Sequence, residues 1–471
     1  MNGSLWSCGS HGLYGKPAKI LFVCLFSVMV IAIPYLIQYQ QLLSQQFWIP
    51  QLALQRSSSI QLEGRSERQQ PTFKGDASSL YDQTILSSAF DNHSLSIDQA
   101  SPAENRPANS STILDLKQDQ KDRVAICLVG GARAFELTGL TIVKYVLDVY
   151  NGADLFLHAP LDLNSYKFQL LEGRSNLAAI RIFKPIKLPE TQLRKELLTS
   201  AGSPSGIQGL LQYFNLVEGC WKLITDYEKK HSFRYKWIIR TRVDGYWNGP
   251  IPGISSLMEG SYLVPYGSQF GGFNDRVGIG DRETSRVALQ RLSLLPRLYN
   301  QSYRKLNSER LFRAQMISAK IKVKLRRFNF CILSYRHYGL PNGVWNTPVA
   351  SISSKGPLNG AKCRPCTPLF SGLQAKAIAE ALDKSWGWTG PTDGLELCDA
   401  RHNWEQHWED AYDMAAGSEF AAIRKSLTEQ PLSECIKQVD LFRQQWEIWD
   451  APSSDVICLE NNRATPHYPT P

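Results

Sequence analysis

The sequence lacks the common motifs for binding phosphate and paired zinc ligands. Neither GxGxxG nor GxxxxGK(S/T) occurs in its 471 residues, so neither a dinucleotide site nor a P-loop is supported. A single CxxC stretch is present, from Cys363 to Cys366. Because a second CxxC, which would favour a zinc site, is absent, disulfide bonds are the favoured use of these cysteines.

The composition is that of an ordinary globular protein. Hydrophobic residues make up 43% of the chain and charged residues 20%. The formal net charge of +9 suits anionic ligands, but an excess this mild does not indicate binding to nucleic acid. With 471 residues, the chain is longer than one simple domain requires.

An uncharged and almost wholly apolar run extends from Ile20 to Ile37. As a helix it would span roughly 27 Å, close to the hydrocarbon thickness of a bilayer. Lys16 and Lys19 precede the run, and the first basic residue after it is Arg56, which predicts a cytosolic N-terminus. We expect a cytosolic tail (1–19), an uncleaved signal anchor (20–37) and a lumenal remainder; a cleaved signal peptide is the alternative.

The segment 38–120 is rich in Gln, Ser, Asn and Asp and has no sustained apolar period. It is predicted to be a disordered stem that holds a globular head away from the membrane. The eight cysteines beyond the stem fit disulfide bonds in an oxidising lumen, although their pairing cannot be derived from the sequence. Glycosylation sequons at Asn92, Asn109 and Asn300 agree with a lumenal location.

The stretch 235–247 reads YKWIIRTRVDGYW, and the head is organised around it. Its aromatic and β-branched residues predict a strand that ends in a turn at Gly245. Because side chains alternate along a strand, we expect Arg240, Arg242 and Asp244 on one face. Arginine matches phosphate oxygens, and a carboxylate beside phosphate typically holds a divalent metal, so the strand end is predicted to bind a metal–diphosphate group. An Arg–Asp ion pair that closes the strand is the alternative.

A glycine turn opens the head. A buried strand is predicted from Val124 to Val129, and the turn Gly130-Gly131-Ala132-Arg133 and a helix to about residue 150 follow it. This order is typical of a nucleotide-binding α/β fold, in which a glycine turn lets the backbone approach the ligand. Further strands are predicted at 153–158, 180–183 and 261–266. An apolar stripe from Leu210 to Ile224 predicts a helix with one face in the core.

The loop 267–281 contains five glycines, with Asn274-Asp275 at its middle. Glycines there allow positive φ and close backbone approach, so Asp275 is interpreted as a functional carboxylate. Asp281 and Ser308 are expected to cap the two helices that follow.

The run 320–326, KIKVKLR, alternates basic and apolar residues and predicts a strand with one basic face. We interpret it as an edge strand whose charges discourage aggregation; the alternative is a face for an anionic substrate. His337 is a candidate for a further metal or phosphate contact.

Residues 356–471 differ in character from the head, which we place at 121–355. Six tryptophans and five cysteines gather there, and 418–446 is predicted to be mainly helical with an interruption at Pro431. This region is interpreted as a disulfide-stapled, mainly helical cap, with a sugar-stacking surface as the alternative. The expected fold is therefore α/β, with a mixed, Rossmann-like sheet, helices on both of its faces and the C-terminal cap.

The layout of an anchor, a polar stem and an α/β head resembles that of Golgi type II glycosyltransferases. Within the head, IRTRVD (239–244) followed by NDRVGIG (274–280) resembles a pair of motifs in GT-A-like sugar transferases. These include relatives of bacterial lipopolysaccharide and capsule biosynthesis proteins. The layout also resembles an uncharacterised plant family of this type. The resemblance covers about 120–340.

The resemblance implies an enzyme of the Golgi membrane that transfers a sugar from a nucleotide-sugar donor to a glycan or glycoconjugate acceptor. In a GT-A fold, an acidic motif at a strand end binds Mn²⁺ or Mg²⁺, which neutralises the diphosphate, and Asp244 takes that place. If a metal binds there, His337 is the candidate for a further contact. The usual motif is Asp-x-Asp, whereas this chain has Arg242-Val243-Asp244. Either Arg242 shares the role of the metal, or metal dependence is weak or absent.

The resemblance also implies roles for the other motif residues. Asp275 is the candidate catalytic base toward the acceptor. The candidate contacts of the nucleotide sugar are Gly130, Gly131, Arg133, Arg240, Arg242 and Asn274.

Two other functions fit parts of the sequence. A non-catalytic, glycan-binding or scaffolding protein on a degenerate transferase fold is favoured by the missing second acidic residue. A sulfotransferase is permitted by the basic strand, but no loop that cradles phosphate supports it.

Overall fold

The computed structural model describes residues 123–462 except 175, 202, 204, 339–347 and 382–392, and of residues 460–462 only the backbone. The predicted tail (1–19), anchor (20–37) and stem (38–120) lie outside the described residues. Among the residues that are described, no helix has both the length and the hydropathy that a membrane-spanning segment needs.

The described residues form two β-sheets and a set of α-helices, numbered here in chain order. The strands are β1 (Val124–Val129), β2 (Asp154–Pro160), β3 (Leu177–Phe183), β4 (Trp237–Arg242), β5 (Gly245–Trp247), β6 (Ser261–Pro265), β7 (Val277–Asp281), β8 (Lys322–Arg326), β9 (Phe330–Leu333), β10 (Val349–Ser351), β11 (Ala361–Arg364), β12 (Leu397–Cys398) and β13 (Ile448–Asp450). The helices are α1 (Phe135–Ile142), α2 (Gln192–Leu197), α3 (Gly206–His231), α4 (Arg282–Leu289), α5 (Leu295–Asn300), α6 (Ser308–Ser318), α7 (Gly372–Ala381), α8 (Trp408–Ala416), α9 (Ser418–Glu429), α10 (Leu432–Gln444) and α11 (Ser454–Asn462).

The larger sheet has eight strands in the order β13-β3-β2-β1-β4-β7-β6-β8. Strand β7 runs antiparallel to both of its neighbours, β4 and β6, and the other pairs are parallel. The central strand β1 is buried along its whole length, as expected of a parallel strand that is covered on both faces. The predicted mixed α/β sheet is therefore confirmed.

Helices cover both faces of this sheet. Ile126 and Leu128 of β1 pack in one cluster with α1 and the C-terminal helix α10. Cys127 and Val129 point the other way, into a cluster with α3. The apolar stripe of α3, from Leu210 to Ile224, is buried as predicted.

The second sheet has five strands in the order β12-β10-β11-β9-β5. Only two residues, Val243 and Asp244, separate its strand β5 from β4, so the chain passes directly from one sheet to the other at this point. The predicted turn at Gly245 is thus displaced: the turn is at 243–244, and Gly245 is the first residue of β5.

Two helix caps test the local predictions. The side chain of Asp281 accepts a hydrogen bond from the backbone N of Thr284 at 2.8 Å, which confirms it as the cap of α4. For α6 the predicted cap, Ser308, is wrong, because Asn307 accepts from the backbone N of Arg310 at 2.8 Å. Ser308 is thereby free to bond elsewhere.

The C-terminal region carries helices and disulfide bonds, as predicted, but it also completes both sheets. Strand β13 pairs with β3 at one edge of the larger sheet, and β11 and β12 belong to the second sheet. The predicted boundary at residue 355 therefore runs through the second sheet. Pro431 separates α9 from α10. The disulfide bonds are Cys127–Cys220, Cys331–Cys363, Cys366–Cys398 and Cys435–Cys458.

The basic strand is β8, at the edge of the larger sheet. Lys322 and Arg326 at its ends are exposed, and Leu325 packs against neighbouring apolar side chains. The prediction of an edge strand is confirmed, and its basic face has the character that discourages pairing with another chain.

Candidate functional site

The candidate site lies where parallel strands of the larger sheet end together. Arg242, the last residue of β4, is opposite Val129, the last residue of β1. The backbone N of Val243 donates to the carbonyl of Val129 at 3.1 Å, so the turn after β4 lies beside the turn after β1. Ligands of open α/β sheets bind at this carboxyl edge.

The glycine turn after β1 is closed in by protein on both sides. Gly130 has φ +131°, and a Cβ there would lie 2.9 Å from Cγ2 of Val243. A Cβ on Gly131 would lie 2.5 Å from Oδ2 of Asp162, which follows the end of β2. The close approach that requires glycine is therefore to Val243 and Asp162. Contact of either glycine with a nucleotide stays a prediction.

Arg242 and Asp244 form an ion pair with two hydrogen bonds. Arg242 Nε donates to Oδ1 at 2.8 Å and Nη2 to Oδ2 at 2.5 Å, and the two side chains are 27% and 16% exposed. Burial alone would raise the pKa of Asp244, but the guanidinium of Arg242 lowers that pKa to about 2. The ion pair that the sequence offered as an alternative is therefore present at the strand end.

Arg240 is buried, and its guanidinium contacts protein groups. Its Nη1 lies 3.2 Å from the hydroxyl of Tyr213 on α3, and its Nη2 donates to the carbonyl of Asp275. Tyr213 donates to the same carbonyl at 3.0 Å, and Arg242 lies over its ring at 5.7 Å. Arg240 and Arg242 thus share the α3 face of the sheet, and Arg240 fixes the backbone of the glycine loop.

Asp275 is a buried carboxylate, with its side chain 5% exposed. Ser308 Oγ donates to Oδ2 at 2.6 Å, and Nη1 of the fully buried Arg291 lies 3.6 Å from the same oxygen. Burial would raise the pKa of Asp275, but the charges of Arg291 and Arg240 and the Ser308 hydrogen bond lower it. The structure therefore surrounds the predicted base with protein partners on its carboxylate; its catalytic role stays a prediction.

Asn274 and Arg276 attach the glycine loop to the segment before β11. Asn274 is fully buried and donates to the carbonyls of Tyr266 at 3.1 Å and Asn359 at 2.9 Å. Arg276 Nη1 donates to the carbonyl of Gly360 at 2.6 Å. Binding of a nucleotide sugar by Asn274 stays a prediction, and the contacts it does make position β11.

Lys362 of β11 places a further basic side chain at the strand end. Its side chain is half-buried, and it makes no hydrogen bond or ion pair within the described part of the chain. Burial lowers its pKa well below the ordinary value, the charges of Arg276, Arg242 and Arg336 lower it further, and Asp244 opposes them. We use the name cation cluster for Arg133, Arg242, Arg276, Arg336 and Lys362.

Arg133 and Arg336 are the exposed members of the cation cluster. The charge of Arg133 acts on both Asp244 and Asp162, which places it between the ends of β4 and β2. Its backbone is fixed by Lys167, whose Nζ donates to the Arg133 carbonyl at 2.7 Å and pairs with buried Glu136 at 2.7 Å.

Glu309, in the first turn of α6, is a second carboxyl near the cluster. It is half-buried. Burial and the negative charge of Asp275 raise its pKa to about 7, although Arg276 and Lys362 act in the opposite direction. A carboxyl with such a pKa exchanges protons near neutral pH, as acid–base catalysts do.

The residues present do not fit a divalent metal. Both oxygens of Asp244 accept hydrogen bonds from Arg242, and the groups that act on it electrostatically are cationic. His337 is exposed, with Nε2 2.8 Å from Oδ1 of Asn403. Within the described ranges, no group of three or more His, Cys, Asp or Glu side chains is arranged to hold a metal. Hard cations need several oxygen ligands, and the carboxylate of Asp244, held by Arg242, does not supply them.

Sequence patterns did not single out Arg276, Lys362 or Glu309. Arg276 lies within the NDRVGIG stretch and Glu309 lies in the first turn of α6, and neither position shows a local pattern that indicates a ligand. Lys362 follows Ala361 and immediately precedes the CxxC stretch, and nothing in that neighbourhood signals a ligand. Its position depends on strand pairing between segments that are far apart in the chain.

Comparison with known proteins gives one family. A family model described as a domain of unknown function (DUF7796) matches residues 119–464. No curated protein matches the sequence.

Proposed function

The chain belongs to the DUF7796 family, and we propose that it is a glycosyltransferase that binds the diphosphate of a nucleotide-sugar donor at the cation cluster. The sugar is transferred to a glycan or glycoconjugate acceptor. The observation that carries this proposal is the gathering of five cationic side chains, from separate segments of the chain, at the carboxyl edge of the sheet.

A diphosphate suits the charge and shape of this edge. Arg242 and Arg276 offer planar guanidiniums that match phosphate oxygens, and charge-assisted hydrogen bonds of this kind are stronger than neutral ones. Negative charge grows on the diphosphate as the bond to the sugar breaks. Cations fixed in advance at that position stabilise this charge without reorganising during the reaction.

The acceptor hydroxyl needs a base, and two carboxyls lie near the cluster. Asp275 is the base that the sequence predicts, but its carboxylate is 5% exposed and pairs with Arg291 and Ser308. Glu309 is more exposed, and its pKa of about 7 suits proton transfer at neutral pH. We therefore propose Glu309 as the base and Asp275 as the group that holds the loop in place.

A non-catalytic, glycan-binding or scaffolding protein is the second candidate. The bidentate Arg242–Asp244 ion pair favours this candidate, because Arg242 occupies the carboxylate that a metal-dependent transferase would use. A protein of this kind would bind a glycan but would not be stabilised by a nucleotide.

The compartment follows in part from the cysteines. Four disulfide bonds indicate an oxidising, extracytoplasmic compartment. We propose that it is the Golgi lumen, with the chain held in the membrane by residues 20–37. Protease added to intact microsomes should remove an N-terminal tag and spare a C-terminal one; loss of the C-terminal tag would contradict this orientation.

The function is tested by a screen of nucleotides against the purified full chain. A ligand that binds only the native state raises its apparent melting temperature. We expect UDP, GDP or ADP to raise that temperature, and the matching nucleotide sugar to be hydrolysed or transferred slowly. Glycans without nucleotide are the control, and stabilisation by glycans alone would favour the non-catalytic candidate.

A further inference from the structure

The strand end, where we propose that the diphosphate binds, offers a poor set of ligands for a metal. Asp244 is its only carboxylate between β4 and β5, and both of its oxygens are held by Arg242 at 2.8 and 2.5 Å. A second acidic residue is absent two positions earlier, where Arg242 stands. Neutralisation of a diphosphate must therefore come from cationic side chains.

Lys362 is placed to supply that charge. In the second sheet, Lys362 is opposite Ile332, and Ile332 is opposite Gly245, the residue after Asp244. Residues that are opposite each other share a face of the sheet, and Ile332 packs toward the core of the larger sheet. The flanking residues Ala361 and Cys363 pack on the other face. Lys362 thus extends from the second sheet toward the strand end of the first.

The surroundings of Lys362 hold it there without a counter-ion. The Cys331–Cys363 disulfide joins β9 to β11, and Arg276 donates to the carbonyl of Gly360 just before β11. Within the part of the chain that the structure describes, the Lys362 ammonium has no hydrogen bond or ion pair. A half-buried, unpaired ammonium among arginines is unfavourable, and an anion at this point would relieve it.

We propose that Lys362, together with Arg242 and Arg276, takes the place of the divalent metal and neutralises the donor diphosphate. The inference rests on the proposed function, because it names the groups that bind the donor. Lys362 contributes its charge at one oxygen, whereas the guanidiniums of Arg242 and Arg276 contribute paired hydrogen bonds. Donor binding is then independent of added metal.

The test is calorimetric titration of the full-length chain with UDP, GDP, ADP and inorganic pyrophosphate, in EDTA and in MnCl₂. We expect binding in EDTA and less than about a twofold gain from manganese. Lys362→Met should weaken binding about ten- to hundredfold, as for loss of a charge-assisted contact. Lys362→Arg should stay within several-fold of the wild type. Lys355→Met, an exposed lysine of the same segment, is the matched control and should leave binding unchanged.

A second readout separates ligand binding from a structural role. Because the Lys362 ammonium is unpaired without ligand, Lys362→Met should melt at the same or a higher temperature than the wild type in the absence of nucleotide. A fall in the melting temperature with unchanged affinity would assign Lys362 a structural role and overturn the inference.

The outcomes also distinguish this inference from the proposed function. Nucleotide binding that requires manganese, or that is unaffected by Lys362→Met, overturns the inference and leaves the transferase in place. Pyrophosphate binding that depends on Lys362, without binding of any nucleoside diphosphate, supports the anion site and overturns the transferase. No binding of either probe overturns both.

Discussion

The guanidinium of Arg242 binds both carboxylate oxygens of Asp244, two residues further along the chain, at the point where the chain leaves one sheet for the other. The pair holds the strand end in one arrangement and orients the free edge of the guanidinium. A bound diphosphate can use that edge without breaking the pair, because a guanidinium has five N–H donors.

Replacement of Arg242 tests both of these roles. Arg242→Ala should weaken binding of a nucleoside diphosphate about ten- to hundredfold, because a charge-assisted contact is lost. It should also lower the free energy of unfolding by about 1–3 kcal/mol, since Asp244 is left half-buried without its partner. Calorimetry and urea unfolding measure the two effects.

Asp244→Asn and the double variant complete that experiment. The stability effects should not be additive, because the two side chains act as a pair. Arg242→Lys keeps the charge but loses the bidentate geometry, and it serves as the matched control. An Arg242→Ala chain that binds the nucleotide as tightly as the wild type would remove Arg242 from the donor site.

Asp275→Asn should mainly reduce stability. Arg291 is fully buried, and within the described residues its Nη1 and Nη2 have no hydrogen-bond partner, so Asp275 is what compensates its charge. Breaking such a buried pair costs about 3–5 kcal/mol, which urea unfolding would detect. Ser308→Ala, which removes one hydrogen bond and keeps the charges, should cost about 1–2 kcal/mol.

The pH dependence of Asp275 has a defined sign. The pKa of Asp275 in the folded state lies below the ordinary value of 3.8. The ionised carboxylate therefore stabilises the fold above pH 3.8, and this stabilisation is lost as the pH falls through the folded-state pKa. The difference in stability between wild type and Asp275→Asn should therefore shrink on acidification. Unchanged stability together with lost turnover would instead favour Asp275 as the base.

Glu309→Gln should change the dependence of stability on pH near neutrality. The folded-state pKa of Glu309 is raised from 4.5 to about 7, so the stability it contributes is complete below 4.5 and is lost as the pH rises through 7. The neutral glutamine does not titrate. As the pH rises from 4.5 to 8, the free energy of unfolding of the variant should increase relative to that of the wild type by on the order of 1–3 kcal/mol.

The charges that face Glu309 are those of Asp275, Arg276 and Lys362, so variants of these residues should move the same transition. If Glu309 is the base, Glu309→Gln should also remove the limb of the pH–rate profile that rises near pH 7. A wild-type profile that is flat from pH 5 to 8 would argue against Glu309 as the base.

Two disulfide bonds of different span should stabilise the fold to different extents. Cys127–Cys220 links β1 to α3 across 93 residues, whereas Cys435–Cys458 links α10 to α11 across 23. In the loop-entropy model the first contributes roughly 4–5 kcal/mol and the second roughly 3–4 kcal/mol. Paired Cys→Ala variants of each bridge, followed by urea unfolding, would measure this order; the reverse order would contradict it.

Local patterns in the sequence were sufficient to predict the elements that carry them. The apolar stripe of α3 has helical spacing, and the short apolar run of β1 is typical of a buried strand. Each element can therefore be recognised without knowing which segments pack against it. The same is true of the strand parity that places Arg240 and Arg242 on one face. The predicted cap of α6 is wrong by one residue. Asn307 and Ser308 are both favourable cap residues, and only the backbone geometry determines which of them caps the helix.

The site could be predicted only in part, because it depends on pairing between distant segments. Lys362 reaches the strand end through two strand pairs, β11–β9 and β9–β5, and no local pattern encodes them. The burial of Asn274 depends likewise on Asn359, 85 residues away. The sequence does suggest a ligand at Arg242, but it cannot show that Asp244 is already held by that arginine.

The position of Lys362 in the chain has a consequence for biosynthesis. Arg133, Arg242 and Arg276 are synthesised first, and β11 emerges only after about three quarters of the 471 residues have been translated. Until β11 pairs with β9 and the Cys331–Cys363 disulfide forms, the growing chain lacks one of the side chains of the proposed donor site. If Lys362 binds the donor as we propose, competence to bind the anion requires β11 and the Cys331–Cys363 disulfide, and strand β13 of the first sheet is synthesised later still.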